Sequence, residues 1–207
     1  NEDGKGPSVI DMNTHLPEGT TDFKVGSDHY HRYKEDIALM AELGLKAYRF
    51  SIAWTRIYPN GTGKINKKGI EFYNNLINEL LDKGIEPIVT MYHFDLPYAL
   101  QEKGGWSNRD TIDAFERYAK TLFEHYGDRV RCWLTINEQN MMILHGEAIG
   151  IVDRNLENPK KELYQQNHHM MLAQAKAMHL CHEMYPNAKI RPAPNISIVY
   201  PATSKPE

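Results

Sequence analysis

The segment Val130-Arg-Cys-Trp-Leu-Thr-Ile-Asn-Glu138 is a short run of apolar, β-branched and aromatic residues that ends on an amide and a carboxylate. Such a run reads as a strand buried on both faces. Parallel α/β barrels place reactive side chains at the C-terminal ends of their strands. Glu138 is therefore a candidate proton donor, and Asn137 a candidate ligand-binding amide. Two earlier segments end in a similar way. Ala47-Tyr-Arg-Phe-Ser-Ile-Ala-Trp54 contributes Arg49 and Trp54, and Glu86-Pro-Ile-Val-Thr-Met-Tyr-His93 ends on His93 and runs into Phe94-Asp95. Taken singly, each residue has a structural explanation: a buried ion pair for Arg49, a hydrogen-bonded core histidine for His93, packing for Trp54, a helix cap for Asn137. Their coincidence at one end of three successive strands points instead to a site. Imidazole, amide and carboxylate groups pair with sugar hydroxyls, and an indole offers a face to a sugar ring. Cleavage of a glycosidic bond needs two carboxyl groups, one of them kept protonated by burial or a negative neighbour. Glu138 can serve as that acid.

Helices must position these strands, and the hydrophobic periodicity supplies them. Residues 1–27 are polar and rich in Gly and Pro, and read as a loop. Asp28 predicts a helix cap, followed by a helix to about Leu43 with Tyr33, Ile37, Met40, Ala41 and Leu43 as its apolar stripe and Gly44 as its stop. A second helix spans about Lys67–Lys83, with Ile70, Tyr73, Leu76, Ile77 and Leu80 on one face and Gly84 as stop. A third covers about 109–126 before Gly127 and the strand 130–136. A fourth covers about 164–184, before Pro186 and a strand near Lys189–Val199. Loops are expected at 58–66, 94–109 and 145–163. Repeated helix–strand units predict a parallel sheet with right-handed crossovers. Long loops after the strands and short turns before them favour a (β/α)8 TIM barrel over an open doubly wound sheet. An open sheet usually carries a Gly-rich phosphate loop, which this sequence lacks. The same lack argues against an NAD-dependent oxidoreductase.

The 207 residues are 41% hydrophobic and 25% charged, the composition of a globular domain with a core. A net charge of -3 gives no field that would attract nucleic acid or an anionic membrane, and no apolar run has membrane-spanning length. Cys132 and Cys181 read as buried free thiols, which fits a reducing cytoplasm. His29 and His31, His168-His169, and the pair His179 and His182 lack a third ligand at metal-binding spacing, so no metal or cofactor is expected. The run Asn158-Pro-Lys-Lys-Glu162 reads as a solvated loop, and Met141-Met142 and Met170-Met171 read as core. A homo-oligomer is compatible with this composition.

Three ordered motifs carry a resemblance. Tyr48-Arg-Phe-Ser-Ile-Ala-Trp-Thr-Arg-Ile-Tyr-Pro-Asn-Gly61, Tyr92-His-Phe-Asp-Leu-Pro97 and Thr135-Ile-Asn-Glu138 resemble motifs of glycoside hydrolase family 1. Ser27-Asp28-His-Tyr30 and Trp106-Ser-Asn108 also match. The family comprises retaining β-glucosidases and 6-phospho-β-glycosidases on a (β/α)8 barrel. The resemblance implies that Glu138 is the general acid/base and that Asn137 holds the sugar 2-hydroxyl. It further implies that His93 binds the glycone in the −1 subsite. Arg49 would lie beneath the nucleophile and help keep it ionised.

Two replacements depart from the family pattern. Gln139-Asn140 follows the Asn-Glu pair where Pro is usual, and Phe94 follows His93 where Trp is frequent. Both resemble members acting on 6-phospho-β-glucosides, and favour release of glucose 6-phosphate in the cytoplasm. A non-phosphorylated β-glucoside is the alternative substrate, and a catalytically inactive half-barrel or sugar-binding fragment is the alternative function. The nucleophile motif of the family, Glu-Asn-Gly after an apolar strand, does not occur here. Residues 1–207 are therefore expected to be part of a single catalytic domain, about strands two to five of the barrel. The nucleophile would lie outside this chain, and the fragment alone is expected to be inactive.

Overall fold

The alternation of helices and strands folds as a four-stranded, all-parallel sheet in the order β1-β2-β3-β4. The computed structural model describes residues 2–12, 18–20, 26–146, 157–196, 198 and 200–204. In chain order the elements are α1 (His29–Glu42), β1 (Ala47–Ser51), α2 (Trp54–Ile57), α3 (Lys67–Asp82), β2 (Glu86–Tyr92) and α4 (Tyr98–Gln101). They continue with α5 (Asp110–Tyr126), β3 (Cys132–Asn137), α6 (Met141–His145), α7 (Pro159–Met184) and β4 (Lys189–Ala193). Short 3-10 turns lie at Glu2–Gly4 and Gly105–Ser107.

Period-two alternation decides what each sheet face touches. Phe50, Val89, Trp133 and Ile190 share one register row, are buried, and face the helices. Phe50 stacks on Tyr73 of α3, and Trp133 meets Phe123 of α5 edge-on. On the other face Arg49, Ser51, Ile88, Cys132 and Leu134 are exposed or half-buried. The third strand is therefore not buried on both faces within this chain, and its Cys132 is half-buried while Cys181 is fully buried.

Helix α3 places Ile70, Tyr73, Leu76, Ile77 and Leu80 in the core, as its stripe predicts. Each such burial contributes roughly 1.5–3 kcal/mol. Helices α1 and α3 stop where expected. Gly44 and Gly84 adopt φ +77 and +70, and their N–H groups bond Ala41 and Leu81 carbonyls. The next N–H groups, of Leu45 and Ile85, reach back to Met40 and Leu80, so both helices end in Schellman motifs.

Several expectations are corrected. Gly127 stops α5 with φ -65, an ordinary helical value. Its lack of a side chain serves packing instead, because a Cβ there would lie 2.3 Å from the Tyr185 ring. Asp28 precedes α1 but does not cap it through its side chain; the carboxylate pairs with the His31 ring at 2.6 Å. Leu43 is exposed, and only Ile37 of the α1 stripe is fully buried. The first strand ends at Ser51, and the 94–109 segment contains α4 and a 3-10 turn. Helix α7 starts at Pro159, five residues before the expected 164. Asn158 caps it by accepting the Lys161 N–H at 3.1 Å, so Asn158–Glu162 is a helix start rather than a loop. Helix α6 lies within 137–146, where no element was expected. Met171 is exposed while Met142 and Met170 are buried. The described N-terminal residues pack on the fold: Val9 is buried and its N–H bonds the Leu96 carbonyl at 2.9 Å. Val199 lies outside the described residues, as do parts of the expected 1–27 and 145–163 loops.

Tyr118 links α5 to the sheet. Its hydroxyl lies 2.9 Å from the carbonyls of both Ile52 and Met91, just after β1 and within β2. One buried residue thus fixes the C-terminal ends of two strands. A different constraint acts at Gly69 in the first turn of α3, where an added Cβ would lie 2.0 Å from the Arg56 carbonyl oxygen. Helix propensity alone favours Ala over Gly by about 1 kcal/mol. Gly69→Ala is nevertheless expected to destabilise the protein, read as a lower urea midpoint. A raised midpoint would refute this close approach.

Candidate active site

Four side chains on or just beyond three adjacent strands form one hydrogen-bonded chain. Arg49 of β1 donates through Nε to Thr90 Oγ1 of β2 at 2.9 Å, and through Nη2 to Asn137 Oδ1 of β3 at 2.5 Å. Asn137 Nδ2 then lies 3.1 Å from His93 Nε2, just beyond the end of β2. A guanidinium has no acceptor, so it fixes the amide oxygen of Asn137 toward itself. The amide nitrogen consequently faces His93 as donor, and Nε2 must accept. That assigns a neutral imidazole with its proton on Nδ1. The electrostatics agree. Burial, and then the positive charge of Arg49, hold His93 below the ordinary histidine pKa of 6.5, against an opposing pull from Glu138.

A bulge aims Asn137. Leu134 pairs with Arg191 and Asn137 with Ala193, so β3 advances three residues while β4 advances two. Thr135 reaches out to Gln174 of α7 at 2.6 Å, whereas Asn137, two residues later, points to Arg49 and His93. A strict period of two would have put both on one face.

Glu138 follows at once, half-buried, with φ +43. A left-handed backbone costs a residue with a Cβ about 1–2 kcal/mol, so the surroundings must hold it there. Its N–H donates to the Ala193 carbonyl at 2.7 Å and its carbonyl accepts from Met141 at 2.8 Å. Phe94 beside His93 shares this backbone type, with φ +68, and meets the His93 ring edge-on. Non-glycine strain of this kind collects at functional sites.

Arg49, His93, Asn137 and Glu138 are thus gathered as the strand pattern predicts, but two neighbours are not part of the site. Trp54 is fully buried, stacks on Tyr118 at 5.1 Å and donates to the Gly61 carbonyl, so it offers no face to a ring. Asp95 turns inward. Its carboxylate accepts from the His93 N–H at 3.2 Å, and burial lifts its pKa above the usual carboxylate value. Two participants escaped the sequence reading. Thr90 is recognisable only once the register sets it beside Arg49. Gln174 carried a signal, being an amide within a stripe that buries Met170, Ala173, Ala177 and Cys181. A cleft of about 490 Å³ lies beside Arg49, Thr90 and His93, with His29, Tyr48, Phe50 and Ser51 also lining it. Among the described residues no cluster of His, Cys, Asp or Glu is arranged to hold a metal, and no helix is long and apolar enough to cross a membrane.

The sequence profile of glycosyl hydrolase family 1 matches residues 1–207. The chain is 48% identical to aryl-phospho-beta-D-glucosidase BglC of Bacillus subtilis (strain 168), over 100% of this chain and 44% of that protein. It is 47% identical to beta-glucosidase A of Acetivibrio thermocellus, over 100% of this chain and 47% of that protein. The solved structure of the beta-glucosidase from Thermotoga maritima in complex with castanospermine superposes with a TM-score of 0.90 at 42% identity, covering 99% of this chain and 47% of that one. The chain spans about half the length of the curated relatives it matches. Its four parallel strands and their helices are part of a (β/α)8 barrel, and the chain belongs to glycosyl hydrolase family 1.

Proposed function

We propose that residues 1–207 form part of a single (β/α)8 catalytic domain of a retaining β-glycosidase, with Glu138 as its general acid/base. One observation carries this reading. A carboxylate on a strained backbone lies next to a fixed Arg49–Asn137–His93 chain at the C-terminal end of a parallel sheet.

Each residue has a definite task. Glu138, protonated, gives its proton to the glycosidic oxygen as the bond from that oxygen to the anomeric carbon breaks. A carboxylate from outside this chain takes the anomeric carbon, forming a glycosyl-enzyme. Glu138, now ionised, removes a proton from water, and the water oxygen displaces that carboxylate. Asn137 uses one Nδ2 proton on His93, and its second has no partner among the described residues; it is available to the sugar 2-hydroxyl. His93, neutral, presents its Nδ1 proton to a hydroxyl of the glycone. Arg49 anchors Asn137 and supplies positive charge beneath the incoming nucleophile. Two carboxyl groups suffice for this chemistry, and it calls for no cofactor or metal.

For the substrate, we favour a 6-phospho-β-glucoside, hydrolysed in the cytoplasm to release glucose 6-phosphate. The similarity to an aryl-phospho-beta-D-glucosidase supports this, as do Phe94 and Gln139 in their motifs. The nearly equal similarity to a beta-glucosidase A favours the second reading, a non-phosphorylated β-glucoside.

In the full-length enzyme, Glu138→Gln is expected to lower kcat/KM for alkyl β-glycosides by about 10²–10⁴-fold. Dinitrophenyl glycosides, whose leaving group needs no proton, should lose far less in the glycosylation step. An unchanged rate on both would remove Glu138 from the mechanism. Paired assays with glucosides and 6-phosphoglucosides should show higher kcat/KM on the phosphorylated member; a preference for the free sugar selects the second reading. His93 should titrate below 6.5 when its ring protons are followed by NMR. Because its folded pKa is depressed, its contribution to stability is present above 6.5 and is lost as pH falls below that value. A pKa at or above 6.5 would contradict the neutral-ring assignment.

A further inference from the structure

The backbone of Glu138 sits at φ +43, and nothing in its own chemistry favours that conformation. No proline follows to restrict the chain; Gln139 stands there. Gln139 is buried, and its side chain is engaged at both ends. Its Nε2 donates to Asn167 Oδ1 at 2.7 Å and lies 3.2 Å from the Asn167 carbonyl, both on α7. Its Oε1 accepts from Gln174 Nε2, also on α7. Gln174 Oε1 in turn accepts from the hydroxyl of Thr135 at 2.6 Å. Thr135 is fully buried on β3, three residues before Glu138. The bonds therefore close a loop: β3, the turn after it, α7, and β3 again.

From the other side Asn140 grips the chain after β4. Its Nδ2 donates to the Asn195 carbonyl at 2.5 Å, and its Oδ1 accepts from the Asn195 N–H at 3.0 Å. Glu138 is thus followed by two residues whose amides are anchored to separate segments, α7 and the chain after β4.

We infer that Gln174, acting through Gln139, is a positioning residue that holds the Glu138 carboxyl in place for proton transfer. This rests on the reading of Glu138 as acid/base. The physical reason is that buried amides must be paired. If the turn relaxed to an ordinary backbone, Gln139 would withdraw from α7 and leave Gln174 buried without its acceptor. The network is satisfied in one arrangement, and that arrangement contains the strained Glu138. Polar satisfaction here does what a restrictive backbone residue could do elsewhere.

The test uses the full-length enzyme and two substrates of one glycone, an alkyl glycoside and a dinitrophenyl glycoside. Gln174→Met keeps side-chain length and removes both hydrogen-bonding groups. It is expected to lower kcat on the alkyl glycoside by about 10–100-fold, with KM and the dinitrophenyl glycosylation rate little changed. Thr135→Val, isosteric within the strand, should show the same selectivity to a smaller degree, and it serves where Gln174→Met fails to fold. Gln139→Met combined with Gln174→Met should lose no more than the worse single variant, because the two act as one unit. Equal losses on both substrates, or none, would overturn the inference. Glu138→Gln is the reference. If it is selective and the Gln174 and Thr135 variants are not, positioning fails alone; if it is not selective, the acid/base reading fails and the inference with it.

Discussion

The hydrogen bond from Arg49 to Asn137 crosses a whole strand, joining side chains 88 residues apart in sequence. It can form only where β1, β2 and β3 run parallel with their C-terminal ends level. Parallel pairing in turn requires a helix to carry the chain back between strands. The site is thus a direct product of the crossover topology. The charge of Arg49 also propagates. It orients the Asn137 amide, the amide assigns the His93 proton, and the imidazole is held neutral.

Rigidity comes from the layer beneath. Trp54, Tyr92, Trp106, Phe115 and Tyr118 form a buried aromatic cluster behind the strand ends. Burial lifts the pKa values of Tyr92 and Tyr118 well above the ordinary tyrosine value, so both stay neutral hydrogen-bonding phenols. Tyr118 uses its hydroxyl on the backbone after β1 and within β2. His169 of α7 likewise bonds the Trp106 carbonyl at 2.7 Å through Nδ1. Of the adjacent pair His168-His169, the second is therefore structural, while His168 is exposed. Precision at the mouth of the barrel rests on buried polar groups that each have a fixed partner.

The sequence revealed much of the fold for local reasons. Strong amphipathic stripes such as Ile70–Leu80 identify helices, and Gly44 and Gly84 mark their ends because a left-handed cap favours glycine. Errors arose where one residue type serves two purposes. Gly127 is present for contact with Tyr185 rather than for its backbone freedom. Asn158-Pro159 looked like loop composition, although Asn before Pro is also a helix start. Trp54 looked like a ligand-binding face because its sequence position lies near the site, yet a short helix turns it into the core.

Residue chemistry by itself therefore determined the motif positions Arg49, His93, Asn137 and Glu138, the parallel α/β class and the spacing of the elements. These follow from side-chain type and from periods of two and 3.6 residues, which are properties of the chain segment alone. Tertiary structure decided the rest: the bulge that turns Asn137 toward Arg49, the register that sets Thr90 beside it, and the Gln139–Gln174–Thr135 loop behind Glu138. Each depends on a partner distant in sequence, whose identity local periodicity does not encode. Only when the strands are paired does it become determined which polar groups are buried together and must satisfy one another.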